Sequence, residues 1–153
     1  MTQPGAVHIA AAGSGDVQVV REIVLAAFSH YVARIGREPA PMTADYPELV
    51  AGGHVWVARL GTGAVGALVA VPMPDHLLLE TIAVLPSAQG RGVGAALLAF
   101  AEARARAAGV GEIRLYTNAA MHDNLAYYPR RGYAETHRSG ASGFRRVYFH
   151  KTL

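Results

Sequence analysis

Apolar residues along the chain fall into short clusters with two different periods. Val7 to Ala11 is a brief β-compatible run, followed by Gly13-Ser14-Gly15-Asp16, a turn able to cap a helix. From Val17 the apolar positions Val20, Ile23, Val24, Ala27, Phe28 and Tyr31 recur at helical spacing, which predicts an amphipathic helix to about Ile35. Gly36 ends it, and Glu38-Pro39-Ala40-Pro41 cannot continue it, because proline has no amide proton and disfavours the helical region for its predecessor. A shorter helix is expected from Asp45. Val55 to Leu60 and Ala64 to Met73 are β-rich and joined by Gly61-Thr62-Gly63, a hairpin signal, and Leu77 to Val84 is a third strand. Three strands in succession require a partly antiparallel sheet.

Val93 to about Ala108 is alanine-rich and helical in period, with Val93, Leu97, Phe100 and Ala101 on one face and Glu102 and Arg106 on the other. Gly109 is placed to terminate it. Ile113 to Thr117 reads as a strand, Asp123 to Tyr128 as a helical turn, and Tyr133 to Lys151 as two strands joined by Ser139-Gly140-Ala141-Ser142-Gly143. The order β, α, α, β, β, β, α, β, α, β, β fits neither strict βαβ alternation nor an all-β fold.

Composition narrows the picture. The chain has 153 residues, 52% of them hydrophobic and 16% charged, enough for one domain over residues 1–153 with its own core. The absence of cysteine excludes a disulfide scaffold and thiolate catalysis, and the apolar content excludes disorder. Thirteen arginines and one lysine, Lys151, give a net charge of +3, suited to a small anionic ligand but too diffuse for nucleic acid. No apolar run approaches the ~18 residues of a membrane span, and the N-terminal stretch lacks the regions of a secretory signal, so a cytoplasmic location away from membranes is expected.

The chemistry concentrates in Gln89-Gly90-Arg91-Gly92-Val93-Gly94, between a strand and the most regular helix. A small-residue loop lets backbone N–H groups converge, and the helix start adds unpaired N–H groups and the positive dipole end, a combination that holds phosphate oxygens. Arg91 adds a positive charge. The dinucleotide fingerprint G-x-G-x-x-G does not register from Gly90 or from Gly92, and Glu112 stands at the wrong end of its strand for a ribose-binding acid. A Walker loop needs Gly-Lys-Ser/Thr, and the one lysine lies elsewhere. A tight turn and a pyrophosphate cradle of another type remain as alternatives.

The text Leu79-Glu80-Thr81-Ile82-Ala83-Val84, Pro86 and Gln89 to Leu98, followed by Leu115-Tyr116-Thr117-Asn118 and Asn124 to Tyr133, resembles the GNAT superfamily of acyl-CoA-dependent N-acyltransferases. The resemblance is close over residues 77–133. It implies an α/β (α+β) fold: a central mixed, mostly antiparallel sheet of six to seven strands, about four flanking helices, and two parallel strands splayed to hold coenzyme A. It also implies acetyl-CoA as acyl donor, with no metal. Backbone groups of Ile82, Ala83 and Val84 would pair with the pantetheine arm. The amides of Gln89, Gly90, Arg91, Gly92, Val93, Gly94 and Ala95 would hold the pyrophosphate, with Asn124 reaching from the other side. Glu80 is the expected general base, through a water; some members carry the base two residues earlier, where this chain has Leu78. Tyr128, four residues before Gly132-Tyr133, is the expected proton donor to the departing thiolate, and its neighbour Tyr127 is expected to pack inward. Pro129 predicts that the helix ends at Tyr128. A homodimer is a family expectation.

Other candidates carry less. No two of the seven histidines lie within five residues, so no paired metal-ligand spacing exists. No G-x-S-x-G occurs; Gly13-Ser14-Gly15 and Ser142-Gly143 read as turns. Trp56 reads as core or pocket wall, and Arg130, Arg131, Arg145 and Arg146 have two readings, contact with the cofactor's ribose phosphate or, the favoured one, solvated side chains. Acceptor recognition is expected from the first helices, where Tyr31, Arg34, Arg37, Met42 and Tyr46 cluster, and from the final strands; arginines there would suit a carboxylate or phosphate. The functional expectation is transfer of an acetyl group to a primary amine of a small molecule or peptide by direct attack. The alternative is a sensor module that binds acyl-CoA without chemistry.

Overall fold

The computed structural model describes residues 6–140 and 145–153. Ala141, Ser142 and Gly143 of the expected final turn lie outside the described residues. These form seven strands, β1 (Val7–Ala11), β2 (Val55–Leu60), β3 (Gly63–Pro72), β4 (Leu77–Val84), β5 (Glu112–Asn118), β6 (Ala134–Ser139) and β7 (Arg146–Thr152). The helices are α1 (Val17–Phe28), α2 (Val32–Ile35), α3 (Tyr46–Ala51), α4 (Val93–Ala107) and α5 (His122–Arg130). The single first helix expected from periodicity is interrupted by a 3-10 turn at Ser29–Tyr31 before α2 closes on Gly36. Asp45 caps α3, its side chain accepting from the Glu48 N–H at 3.2 Å. Among the described residues no helix is long and apolar enough to cross a membrane.

The strands form one sheet in the order β1-β2-β3-β4-β5-β7-β6, antiparallel throughout except where β4 lies parallel to β5. Successive side chains on a strand point to opposite faces, and the two faces bury separate cores. On one, Leu68 and Ala70 of β3 and Ile113 and Leu115 of β5 pack with Leu97, Ala101 and Ala105 of α4. On the other, Val57 and Val69 pack with Val20, Ile23 and Val24 of α1 and Tyr46 of α3. Trp56 belongs to the first core, its ring 5.7 Å from that of Phe100.

Gly66 sets how closely α4 approaches the sheet. A Cβ there would lie 3.0 Å from Val93 Cγ1, 3.1 Å from Leu97 Cδ1 and 3.2 Å from the Ala83 carbonyl oxygen, so only a residue without a side chain lets the first turns of α4 seat on β3. Glu102, on the less buried side of α4, accepts from Lys151 Nζ at 2.9 Å and from the Tyr133 hydroxyl at 3.2 Å. Lys151 also donates to the Arg131 carbonyl at 3.0 Å, so one ion pair ties α4, β7 and the turn after α5 together.

One irregularity in the register of β3 and β4 shapes the region around Glu80. β3 and β4 pair as Val69 with Thr81 and Ala70 with Leu79, which leaves Glu80 as an extra residue, a β-bulge. Leu77 and Leu79 face the α4 core, whereas Ala83, an even number of residues further, faces the α1 core. The strand changes its facing at Glu80.

Candidate active site

The bulge coincides with the point where two strands part. β4 pairs with β5 only through Leu77–Leu79 opposite Ile113–Leu115, while β5 continues against β7 to Asn118. Beyond Leu79 the edge of β4 that faces β5 carries main-chain groups without a ladder partner, and a cleft opens between the strands. Two adjoining cavities occupy it, one of about 440 Å³ beside the glycine loop and one of about 150 Å³ beside Glu80; Phe28, Ile82, Asn124 and Tyr128 line both.

On one side the larger cavity is bounded by the glycine loop and the start of α4, and on the other by side chains that include Tyr31, Tyr127, Tyr128 and Arg131. Gly90 and Gly92 have φ of 79° and 83°, and a Cβ at either would meet nothing within 4 Å. These left-handed conformations turn the loop so that Gly92 caps α4 and its carbonyl accepts the Ala96 N–H at 3.0 Å. The first N–H groups of a helix have no partner within it, and they converge here with the positive end of the helix dipole. Gln89, Gly90, Gly92, Val93, Gly94 and Ala95 line this cavity, together with Ile82, Ala83 and Val84 of the open edge and Asn124 of α5. The Val93 side chain points into the core and is 1% exposed, so only its backbone is available to a ligand. Arg91 is exposed and does not line the cavity.

Two further observations fit a diphosphate-bearing ligand. The Tyr127 hydroxyl is buried with no hydrogen-bond partner, about 3.7 Å from where a Gly94 Cβ would stand, and such orphaned groups are uncommon in the absence of a ligand. Arg131 lies in the same lining, its guanidinium carbon 4.9 Å from the centre of the Tyr127 ring. Tyr127 therefore turns toward the glycine loop, with its ring only partly packed on the core.

Glu80 lines the smaller cavity with Thr81, Tyr116, Thr117, Asn118, Tyr128 and Arg146. Burial, reinforced by the nearby Glu80 carboxylate, pushes the Tyr46 hydroxyl well above its ordinary range. That hydroxyl donates to the Pro41 carbonyl, so Tyr46 holds the 40–43 segment against α3 from within the core. Asn124 is fixed by donating to Thr117 Oγ1 at 3.0 Å, which anchors α5 to β5 beside the opening.

Tyr128 is 8% exposed and stands at the junction of the two cavities. Pro129 does not end the helix before it, contrary to the expectation from sequence: α5 runs to Arg130. A proline in the last turn forgoes one backbone bond, and the end is secured otherwise. The Tyr133 N–H donates to the Tyr128 carbonyl and the Gly132 N–H to the Pro129 carbonyl, both at 3.1 Å, with Gly132 at φ 91°. This is a Schellman motif. Its accompanying apolar contact is the edge-on pairing of Tyr128 and Tyr133, with ring centres 5.7 Å apart. The four-residue spacing from Tyr128 to Gly132 thus has a backbone reason, and it locks the Tyr128 ring. Burial raises the Tyr128 hydroxyl above the ordinary phenol range, so it keeps its proton through neutral pH.

The residues expected to meet the acceptor are dispersed. Tyr31 is buried and lines the larger cavity, with Arg34 5.7 Å from its ring centre. Met42 and Tyr46 pack into the α1 core. The same stretch contributes Pro39, Ala40, Pro41 and Ala44 to the smaller cavity instead. Sequence reasoning passed over Arg146, taken as solvated, and Tyr116: the Arg146 guanidinium carbon lies 4.5 Å from the centre of the Tyr116 ring, within the lining. The available signal was alternation, since Ile113, Leu115 and Thr117 are buried and Arg114, Tyr116 and Asn118 share the other face of β5. Among the described residues no three His, Asp or Glu side chains gather in a way that could hold a metal ion.

Known proteins share this architecture. A GNAT-family structure from Desulfovibrio desulfuricans superposes with a TM-score of 0.78 at 22% identity, covering 96% of this chain and 99% of that one. The PaiA N-acetyltransferase of Thermoplasma acidophilum, solved in complex with coenzyme A, superposes with a TM-score of 0.81 at 15% identity over 97% of this chain and 99% of its own. In sequence, the chain is 34% identical over 85 residues to the aminoalkylphosphonate N-acetyltransferase of Salmonella typhimurium, a match that spans 51% of this chain and 55% of that relative. The chain therefore aligns with about half the length of the curated relative it matches. The model of the acetyltransferase (GNAT) family matches residues 18–133, from the first helix through the turn that fixes Tyr128, and the chain belongs to that family.

Proposed function

We propose that this protein transfers an acetyl group from acetyl-CoA to a primary amine of a small molecule or peptide by direct attack within a ternary complex. The observation that carries the reading is the open edge of β4, which runs from the glycine loop to Glu80 and Tyr128. An extended arm laid along Ile82–Val84 brings a thioester between those two side chains. The amides of Gln89, Gly90 and residues 92–95 hold the diphosphate, and Asn124 and Arg131 close the other side.

The chain's own groups then move the protons. An amine with an ordinary pKa near ~10 is almost wholly protonated at neutral pH, and Glu80, through a water, takes the proton that would block attack. The amine nitrogen forms its bond to the thioester carbonyl carbon, the carbon–sulfur bond breaks, the thiolate takes a proton from Tyr128, and the proton that the nitrogen sheds on becoming an amide passes through water to restore the Tyr128 hydroxyl. A buried tyrosine suits that step, because desolvation keeps its hydroxyl protonated until charge appears beside it.

Thiol release from acetyl-CoA over a panel of amines tests the reading. Glu80→Gln is expected to lower the rate by roughly 10²–10⁴-fold at neutral pH, with the deficit shrinking as pH rises toward the amine's own pKa. Tyr128→Phe lowers the rate without weakening coenzyme A binding. Unchanged rates in both variants would return proton transfer to the substrate itself. Coenzyme A binding without turnover on any amine would favour a sensor.

A further inference from the structure

The smaller cavity holds one carboxylate and one guanidinium, Glu80 on β4 and Arg146 on β7, set on either side of the intervening strand β5. Resting on the acyl-transfer reading above, we propose that the acceptor is a small primary amine bearing an anionic group, a carboxylate, phosphonate or phosphate, at its far end, with the amine at Glu80 and the anion at Arg146.

Three features support the assignment. Arg146 opens β7 in register with Asn118 and lies over the Tyr116 face, 4.5 Å from the ring centre. A cation–π contact at this distance limits the rotamers of the guanidinium and keeps it at the ring, and a guanidinium is the side-chain group able to meet two oxygens of one anion. Tyr116 is itself braced by Tyr148 at 5.6 Å, so the platform is built into the β5–β7 ladder. The remaining wall includes Phe28, Pro39, Pro41 and Ala44, apolar surface that strengthens any charge pairing made beside it.

Position adds a limit on size. Strands two places apart in a regular sheet are separated by roughly 10 Å; β4 and β5 part beyond Leu79 and Arg146 stands opposite Asn118, so the span here is wider, yet both residues line one cavity of about 150 Å³. A short acceptor can touch Glu80 and Arg146 together. A diamine of equal length would set its second cation against the guanidinium, which makes the pocket discriminating as well as attractive.

Steady-state kinetics of the full chain with saturating acetyl-CoA and length-matched acceptors tests this. The set is an alkylamine, a diamine, an ω-amino acid and an ω-aminoalkylphosphonate. At least one anionic acceptor is expected to exceed the alkylamine in kcat/KM by roughly 10–100-fold, mainly through KM, with the diamine poorest. The better of the carboxylate and phosphonate identifies the head group. Arg146→Gln brings the anionic-to-neutral ratio to about one, Arg146→Lys restores part of it, and Arg146→Glu shifts preference toward the diamine. An alkylamine as good as both anions in the unaltered protein, or a ratio that survives Arg146→Gln, overturns the proposal. If no amine releases thiol, the acyl-transfer reading fails, and calorimetric titration of the same acceptors into the protein with coenzyme A still reads the Arg146-dependent ratio, whose absence overturns this inference separately.

Discussion

The two cavities of the cleft are made of different material. Beside the glycine loop one wall of the cavity comes from glycines and small residues of 82–84, 89–90 and 92–95, where the side chain of Val93 is turned away into the core and the main chain is what a ligand meets. Beside Glu80 the charged and aromatic surface is side chain, contributed by β4, β5, α5 and β7. The difference separates two kinds of sensitivity. A backbone-built cavity responds to substitutions that alter dihedral angles and ignores most others, whereas a side-chain cavity can change its ligand one residue at a time without disturbing the first.

The sharpest way to break this contrast is Gly92→Val. A β-branched residue at φ 83° is strained by roughly 1–2 kcal/mol, which the loop relieves by leaving the left-handed region and scattering its N–H groups. Calorimetry is expected to find coenzyme A affinity reduced at least about tenfold, with a modest change in melting temperature because Gly92 is exposed. Wild-type affinity in Gly92→Val would mean that the cavity is not held by its backbone.

Gly66→Ala acts on the same cavity from beneath. The added methyl meets Val93, Leu97 and the Ala83 carbonyl at 3.0–3.2 Å, an overpacking that costs about 1–3 kcal/mol of stability in denaturant unfolding. Because Val93 begins α4, coenzyme A binding is expected to weaken in parallel. A stability loss with intact binding would show that the loop keeps its geometry independently of how α4 is seated.

Lys151→Met tests the support of the other side. It leaves the Glu102 carboxylate, 12% exposed, without its cation and releases the Arg131 carbonyl, at an expected cost of about 1–2 kcal/mol. Adding Glu102→Gln is expected to recover part of that loss in a double-mutant cycle. Full additivity would mean that the two side chains do not act as a pair.

The smallest effect is a pH dependence. Burial raises the hydroxyls of Tyr46, Tyr128 and Tyr133, with Glu80 adding to it for Tyr46 and Glu102 for Tyr133. A group whose folded pKa exceeds its unfolded value contributes stability that is complete below the unfolded value, near ~10, and is lost as pH rises beyond it. Unfolding free energy is expected to be insensitive to these groups at neutral pH and to fall above about pH 10. Tyr128→Phe should flatten part of that slope.

Much of the fold was legible because local pattern and tertiary environment agree. Strands β1, β2 and β4 follow their hydrophobic runs residue for residue, and the glycine loop sits where a strand gives way to the most regular helix. What escaped was everything set by pairing between distant segments. The bulge at Glu80 depends on the register with β3, and the β-rich run from Leu77 to Val84, broken only by Glu80-Thr81, does not reveal it. Arg146 joins the cleft only because β7 pairs beside β5, a neighbour relation absent from local sequence. Pro129 was misleading for the opposite reason: its local bias is real, but the Gly132 cap and the Tyr128–Tyr133 contact outweigh it. Glu102 looked like half of a helical pair with Arg106 and instead reaches Lys151, 49 residues away.

One mismatch in counting marks the place where the cleft opens. The eight residues of β4 are matched by seven positions of β3, from Gly66 to Pro72, and the surplus residue is Glu80. Omit it and the alternation from Leu79 to Val84 becomes regular without turning any core side chain over. The carboxylate proposed as general base is thus the very residue that an ideal ladder would leave out, so that a single-codon deletion would mend the sheet while removing that carboxylate.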